Sequence, residues 1–385
     1  MTSRTPGPAD SGHGRAGWGR RVVGSLLPGL PQILMGRWGT GSTALSVWLL
    51  LLVIVVARTD RLLAAVGGAW DERLALLTTV FGLMAAWGWC WRDLGASTDS
   101  RPSGVDQWSL AVVAFSRNRT AVAGLVLIVL IYMVALLAPL ITPHDPLHTY
   151  DLTTSRLQGL STTHPLGTDH LARDVLSRIL YGARISLTIG FVAVGISATI
   201  GTLVGAVAGF LGGAIDNAIM RFVDVVISFP RLVLLIAIVA LFESSITLVI
   251  LVLGLTLWPS TARIVRGEVL VLREREFIQA AHALGYSRWR IIVRHLVPNA
   301  LPPVIVAATL GIGNTIVLEA GLSFLSLGVQ PPTPSWGTMV ADGRDELLSA
   351  WWLSTFPGLA IVFTVLAFNL VGDGLRDALD PRLRS

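Results

Sequence analysis

The sequence contains no lysine, so all 29 basic residues are arginine. That absence excludes two chemistries from these residues. A phosphate-binding P-loop needs a lysine at the phosphates, and Schiff-base catalysis needs a lysine amine. A single cysteine, Cys90, excludes an intramolecular disulfide. Charge is scarce as well, at 14% of residues, against about 25% in an ordinary soluble domain. Apolar residues take its place: the hydrophobic fraction is 53% and the mean hydropathy +0.68. A water-soluble core does not absorb that much apolar surface in 385 residues, and a bilayer is the solvent that does.

A helix crossing the roughly 30 Å hydrocarbon core needs about 20 largely apolar residues. Such stretches fall near 42–57, 74–91, 121–140, 186–211, 225–242, 244–262, 302–327 and 351–372. Eight spans place both termini on one side. Arginine counting selects the side, because cytoplasmic loops collect basic residues. With the termini cytoplasmic, 21 arginines fall on the inner segments, seven of them in 263–294, and eight fall outside. The Ser/Gly/Pro-rich, basic N-terminus runs into an apolar stretch broken by Pro28 and Pro31, with no small-residue cleavage site after it. No cleaved signal peptide is expected.

Two parts follow from the spans. Residues 1–104 carry two of them and end in the polar stretch Ala96-Ser-Thr-Asp-Ser-Arg-Pro-Ser-Gly104, which reads as a linker. Residues 105–385 carry six. Within the fourth span, Ala193, Ser197, Gly201, Gly205, Gly209 and Gly213 recur every fourth position. Such a row lets a second helix approach closely, as a static contact or as a surface that slides. Trp87, Trp89 and Trp91 crowd the end of the second span, where indole rings anchor at the headgroup level.

The loop 263–301 contains Glu276-Phe-Ile-Gln-Ala-Ala-His-Ala-Leu-Gly285. Residues 276–284 read as a short amphipathic helix in which Phe277, Ala280, Ala281 and Leu284 share a face. Gly285 suits the position just past the helix end. A second helical stretch over 287–297 leads to Pro298 and the next span. The small Ala280-Ala281 pair fits either a partner's groove or the membrane interface.

Gln279-Ala-Ala-x-x-x-Gly285, with Pro298 thirteen residues after the glycine, resembles the EAA loop of bacterial ABC importer permeases. The usual glutamate of that motif is Gln279 here, and His295 and Val297 stand where Ile or Leu is usual. Further segments are similar to the oligopeptide/dipeptide (nickel)-type permeases of that group. They are His164-Pro-Leu-Gly-Thr-Asp169, Arg173-Asp-Val-Leu-Ser-Arg178, Tyr181-Gly-Ala-Arg-Ile-Ser-Leu187, Glu319 to Gly328, Pro331 to Gly337, Phe356-Pro-Gly-Leu359 and Gly372 to Arg382. Ala172 occupies a position where glycine is usual. The resemblance covers about 105–385 and leaves 1–104 outside; that part is only weakly similar to two-span hairpin modules.

The resemblance implies an all-α polytopic membrane protein, with a six-helix permease core preceded by a two-helix N-terminal membrane hairpin. It also implies a second homologous permease subunit, two cytoplasmic ATPase subunits, an external solute-binding protein, and alternating access. Phe277, Gln279, Ala280, Ala281, Leu284 and Gly285 would dock on the ATPase. No cofactor, nucleic acid or covalent chemistry is expected in this chain. Peptides are the default cargo, with nickel complexes, glutathione and sugars carried by relatives sharing these motifs. An ATP-independent channel or scaffold is the alternative that span counting alone allows.

Three polar groupings stand out. Glu319 lies in an apolar span, five residues after Asn314, and either lines a path or gate or forms a helix-to-helix hydrogen bond. His164, Asp169, His170 and Asp174 are zinc-ligand types, but the spacing reads more naturally as a tight turn with Asp174 capping a helix, and no metal is expected there. Asp224 and Arg231 flank Pro230, a helix breaker near the inner end of the fifth span.

Overall fold

A computed structural model describes residues 27–34, 38–65, 67, 69–96 and 107–380. The leader before Leu27, the linker after Ala96 and the side chains of Trp87, Trp89 and Trp91 lie outside the described residues. Regular structure among the described residues is helical throughout. Five helices are long and apolar enough to cross a membrane, and two bent helix pairs raise that number to seven.

The first part contributes α1 (Leu30–Leu34), α2 (Trp38–Ala57), α3 (Thr59–Ala65) and α4 (Trp70–Ala96). The α2–α3 pair bends by 87°. The expected span 74–91 lies within α4, a 27-residue helix outside the set of five. Then come α5 (Gln107–Arg117), α6 (Arg119–Leu136), α7 (Ala138–Ile141) and a long loop to residue 174. The first part is fastened to this region by a buried apolar cluster of Leu51, Ile54, Ala65 and Ala75 with Leu137 and Leu140. Arg58 and Arg61 donate to the carbonyls of Ile141 and Pro143, at 3.2 and 3.0 Å.

The longest single α-helix among the described residues is α8 (Val175–Leu211). At 1.5 Å per residue its 37 residues reach about 55 Å, well beyond a hydrocarbon core of about 30 Å. Asp174 caps it, accepting the Ser177 N–H at 2.8 Å. The small-residue row of α8 packs along α11 (Ile246–Leu272): a methyl group added to Gly201 or Gly205 would meet α11 backbone within 3 Å. Gly213 is not part of this contact, since nothing lies within 4 Å of its side and it opens the next helix.

The expected fifth span at 225–242 is instead a broken one. Helices α9 (Gly213–Ser228) and α10 (Arg231–Val239) meet at 84°. Pro230 forces this break, because its ring excludes helical backbone at Phe229, which is extended. Asp224 does not pair with Arg231 across the proline; it pairs with Arg263 of α11.

A loop helix, α12 (Glu276–Ala283), and a single turn, α13 (Arg288–Ile291), precede α14 (Val297–Phe324). Residues 292–296 form one wide π turn between α13 and α14. Pro298 has no N–H for a regular turn, and the wider turn accommodates it. The chain ends through α15 (Trp336–Asp342) and α16 (Trp352–Leu379). The bundle thus has two ends. One carries the loops 142–174 and 325–351, and the other carries α12, α13 and the C-terminus of α16.

Candidate functional site

At the second end, α12 stands on a rigid base. Ile278 and Ala281, 0% and 4% exposed, pack with Val265, Val269, Ile291, Ile292 and Leu296. The helix ends in a Schellman motif: Gly285, at φ +73°, donates to the His282 carbonyl at 2.9 Å, and Tyr286 donates to Ala281 at 3.1 Å. His282 stacks on Phe210 of α8 with ring centroids 5.6 Å apart. Arg273 reaches the Gly209 carbonyl at 3.2 Å, tying the start of the loop to the end of α8.

This base decides which residues face outward. Phe277 and Leu284 are 44% and 71% exposed, with exposed Ala280 between them. Ala281 does not share that face. The bulk of Ile278, 100° around the helix from Phe277, turns its own side inward and carries Ala281 with it. Gln279 folds back to donate to the Glu274 carbonyl at 3.2 Å, and Gly285 is exposed at the rim. Trp289 of α13 is a further exposed apolar side chain at this end, at 61%, and Arg290 lies over the Tyr286 ring at 4.3 Å. Sequence reasoning did not single out Trp289; its place four residues past Gly285 in a short amphipathic turn was the available signal.

Glu319 is fully buried in a knot of three serines. Ser323 of its own helix donates to it at 2.8 Å, Ser335 at 3.0 Å and Ser186 of α8 at 3.4 Å. Ser335 also caps α15, and the Trp336 N–H donates to Ser186 at 3.2 Å. Three sequence segments thus meet on one carboxyl group. Asn314 is about 140° around α14 from Glu319, and it is exposed. The two do not form one site.

At the loop end, the four residues of zinc-ligand type, whose spacing predicts a tight turn rather than a metal site, part company. Asp169 belongs to a buried ion cluster. Arg173 donates to it at 2.7 Å, and Arg178 lies 3.1 Å away. Both arginines also face Asp342 of α15, at 4.0 and 3.4 Å. Burial pushes the Asp342 carboxyl above its usual range, with the Arg178 guanidinium opposing the rise. Ala172 sits in the turn at φ +54°, a left-handed conformation that favours glycine. His164 and Asp174 do stay together, with Nδ1 and Oδ1 2.9 Å apart, and the residue that joins them is His144 rather than His170.

Two family models match this chain. "Binding-protein-dependent transport system inner membrane component" covers residues 201–385, and "N-terminal TM domain of oligopeptide transport permease C" covers 106–159. The dipeptide transport system permease protein DppC of Alkalihalophilus pseudofirmus is 44% identical over 281 residues, spanning 73% of this chain and 92% of the relative. The probable D,D-dipeptide transport system permease protein DdpC of Escherichia coli K12 is 43% identical, over 68% and 87% of the two chains. The glutathione transport system permease protein GsiD of Pectobacterium atrosepticum is 43% identical, over 70% and 90%. Among solved structures, an inward-facing MetNI methionine ABC transporter chain aligns at TM-score 0.44 and 20% identity, over 53% of this chain and 96% of that one. With relatives above 40% identity covering about nine-tenths of their own length, this chain belongs to the binding-protein-dependent transport system inner membrane component family, as an oligopeptide/dipeptide-type permease.

Proposed function

We propose that the chain is the transmembrane permease of an ATP-driven importer for di- or oligopeptides, coupled to cytoplasmic ATPases through α12. The observation that carries this reading is the exposed stripe Phe277, Ala280 and Leu284 on a helix whose other face is locked into the bundle. A surface helix lying loosely on lipid has no need of that base. A helix that transmits force between two bodies does, because only a rigid connection moves the spans when the partner moves. The peptide assignment rests on the dipeptide and glutathione permeases among the relatives.

On this reading residues 105–385 form the permease domain, and 1–104 are an added hairpin. Both termini are cytoplasmic on the arginine count, and the C-terminus of α16 lies at the same end as the arginine-rich loop that carries α12. A second, homologous permease completes the path, with two ATPase subunits below and a solute-binding protein above. ATP binding and hydrolysis occur in those partners. Exposed Asn314, with Val317 at 49% exposure, faces the second permease or the solute path. Glu319 serves by holding α8, α14 and α15 together. The test is a mild-detergent pull-down of the tagged chain with mass spectrometry. Recovery of a second permease and an ATPase is the expected result. Recovery of the chain alone, repeated after cross-linking, favours a channel or scaffold instead.

A further inference from the structure

We infer that His144, His164 and Asp174 form a binding site for a divalent transition-metal cation of the zinc class at the loop end of the permease. The three ligand atoms lie within 4.8 Å of one another. Asp174 Oδ1 is 2.9 Å from His164 Nδ1 and 3.6 Å from His144 Nδ1. A tetrahedral ion with bonds of about 2.0–2.1 Å spaces its ligands about 3.3 Å apart, so the two separations at Asp174 bracket the required edge, and the two imidazole nitrogens, within 4.8 Å of each other, draw together on binding. The donor set is two imidazole nitrogens and one carboxylate oxygen, which zinc-class ions favour over calcium or magnesium.

The three groups are held in place by backbone independent of any ion. His164 closes a turn, its carbonyl accepting the N–H groups of Ser161 and Gly167, both at 2.9 Å. Asp174 is committed on one oxygen to capping α8, which leaves Oδ1 facing the imidazoles. The His144 N–H of the backbone donates to Ser177 at 3.3 Å. Its side-chain Nδ1, by contrast, is buried without a hydrogen-bond partner. A buried ring nitrogen without a partner is costly, and a cation at the shared point would satisfy it. The rings of His144 and His164 lie 4.8 Å apart, and Tyr150 packs edge-on against both.

Access is present on one side. Asp174 is 0% and His164 8% exposed, whereas His144 is 25% exposed and lines an open cavity of about 400 Å³. Three protein ligands leave a fourth position for water from that cavity. Arg61 and Glu72 of the N-terminal hairpin line the same cavity, so the added part borders the site. A bound ion would staple the 142–174 loop at two points to the start of α8.

Cobalt tests the site, because tetrahedral Co²⁺ absorbs in the visible. The full chain, purified with a histidine-free tag and stripped with chelator, is titrated with Co²⁺. One equivalent per chain with tetrahedral ligand-field bands, displaced by Zn²⁺, is the expected result. His144→Ala is expected to weaken binding by more than about tenfold, since losing even an outer-shell partner costs that much. His148→Ala, which removes a ring packed on Tyr150 but no ligand, leaves binding unchanged. Absence of saturable one-equivalent binding in the wild-type chain overturns the site. So does a His144→Ala chain that binds as the wild type does.

Discussion

Replacing Asp169 by alanine is expected to destabilise the permease by about 3–5 kcal/mol, among the largest effects available to a single polar residue here. Arg173 and Arg178 are 7% and 4% exposed, and Asp169 lies against both. Its removal leaves two buried guanidinium groups sharing one partner, Asp342, which sits at 3.4–4.0 Å. The cost comes mainly from those uncompensated buried charges rather than from the lost attraction. Asp342→Asn should cost far less, because that side chain is 34% exposed and water screens it. Changing Asp169, Arg173 and Arg178 together to apolar residues of similar size should recover much of the loss. Thermal unfolding of the detergent-purified chain checks all three. Equal melting temperatures for Asp169→Ala and Asp342→Asn would refute the assignment.

The second large effect concerns the longest helix pair. Gly205→Val is expected to cost about 3 kcal/mol or more. The added Cβ would lie 2.4 Å from the Ala262 carbonyl oxygen and 2.9 Å from Val265 Cβ. Neither atom is the tip of a flexible side chain, so α8 and α11 must separate. Gly195→Ala on the same helix is the control, since nothing lies within 4 Å of that position. There the change should be neutral or slightly stabilising, because alanine is the better helix former. Comparable losses at both glycines would mean that the row is not a close contact.

These two sites differ in how far the sequence revealed them. The glycine row was legible because period four on a helix is a local pattern, and its partner in a membrane is necessarily another helix. Gly285 was legible for a similar reason: a cap is set by three or four neighbouring residues. Pro230 marked a breaker, yet 225–242 still read as one span; that the chain divides there into two helices at 84° came only from the fold. Ala281 was misplaced because the α12 sequence is apolar on two sides. Only packing against Ile291, Ile292 and Leu296, remote along the chain or beyond a turn, decides which side is inward.

Long-range polar closure was the least legible. Ser323 lies one turn from Glu319 on the same helix, but Ser186 and Ser335 belong to two other recognisable segments, and nothing local says that the three segments meet. Asp224 pairs with Arg263, 39 residues away, rather than with the nearer Arg231. The histidine cluster shows the same limit. Asp169 and His170 share a segment with Asp174, but the fold sends Asp169 to the arginines and brings in His144 from 30 residues upstream. Spacing alone lists candidate ligands, whereas the turn at Ala172 chooses among them.

On the proposed function, the exposed face of α12 transmits the work of an ATPase to the spans. Substitutions on its two faces separate docking from folding. Ala281→Trp, on the buried face, should disrupt the base and lower stability, since overpacking a filled core strains it. Ala280→Trp, on the exposed face, should leave the chain folded, inserted and as stable as wild type. The deciding measurement is substrate uptake by membranes or cells carrying Ala280→Trp, with ATPase recovery in the pull-down read alongside. Both are expected to fall by at least about tenfold, as a lost docking contact of more than about 1.4 kcal/mol requires. Wild-type uptake by a well-inserted Ala280→Trp chain would contradict this role.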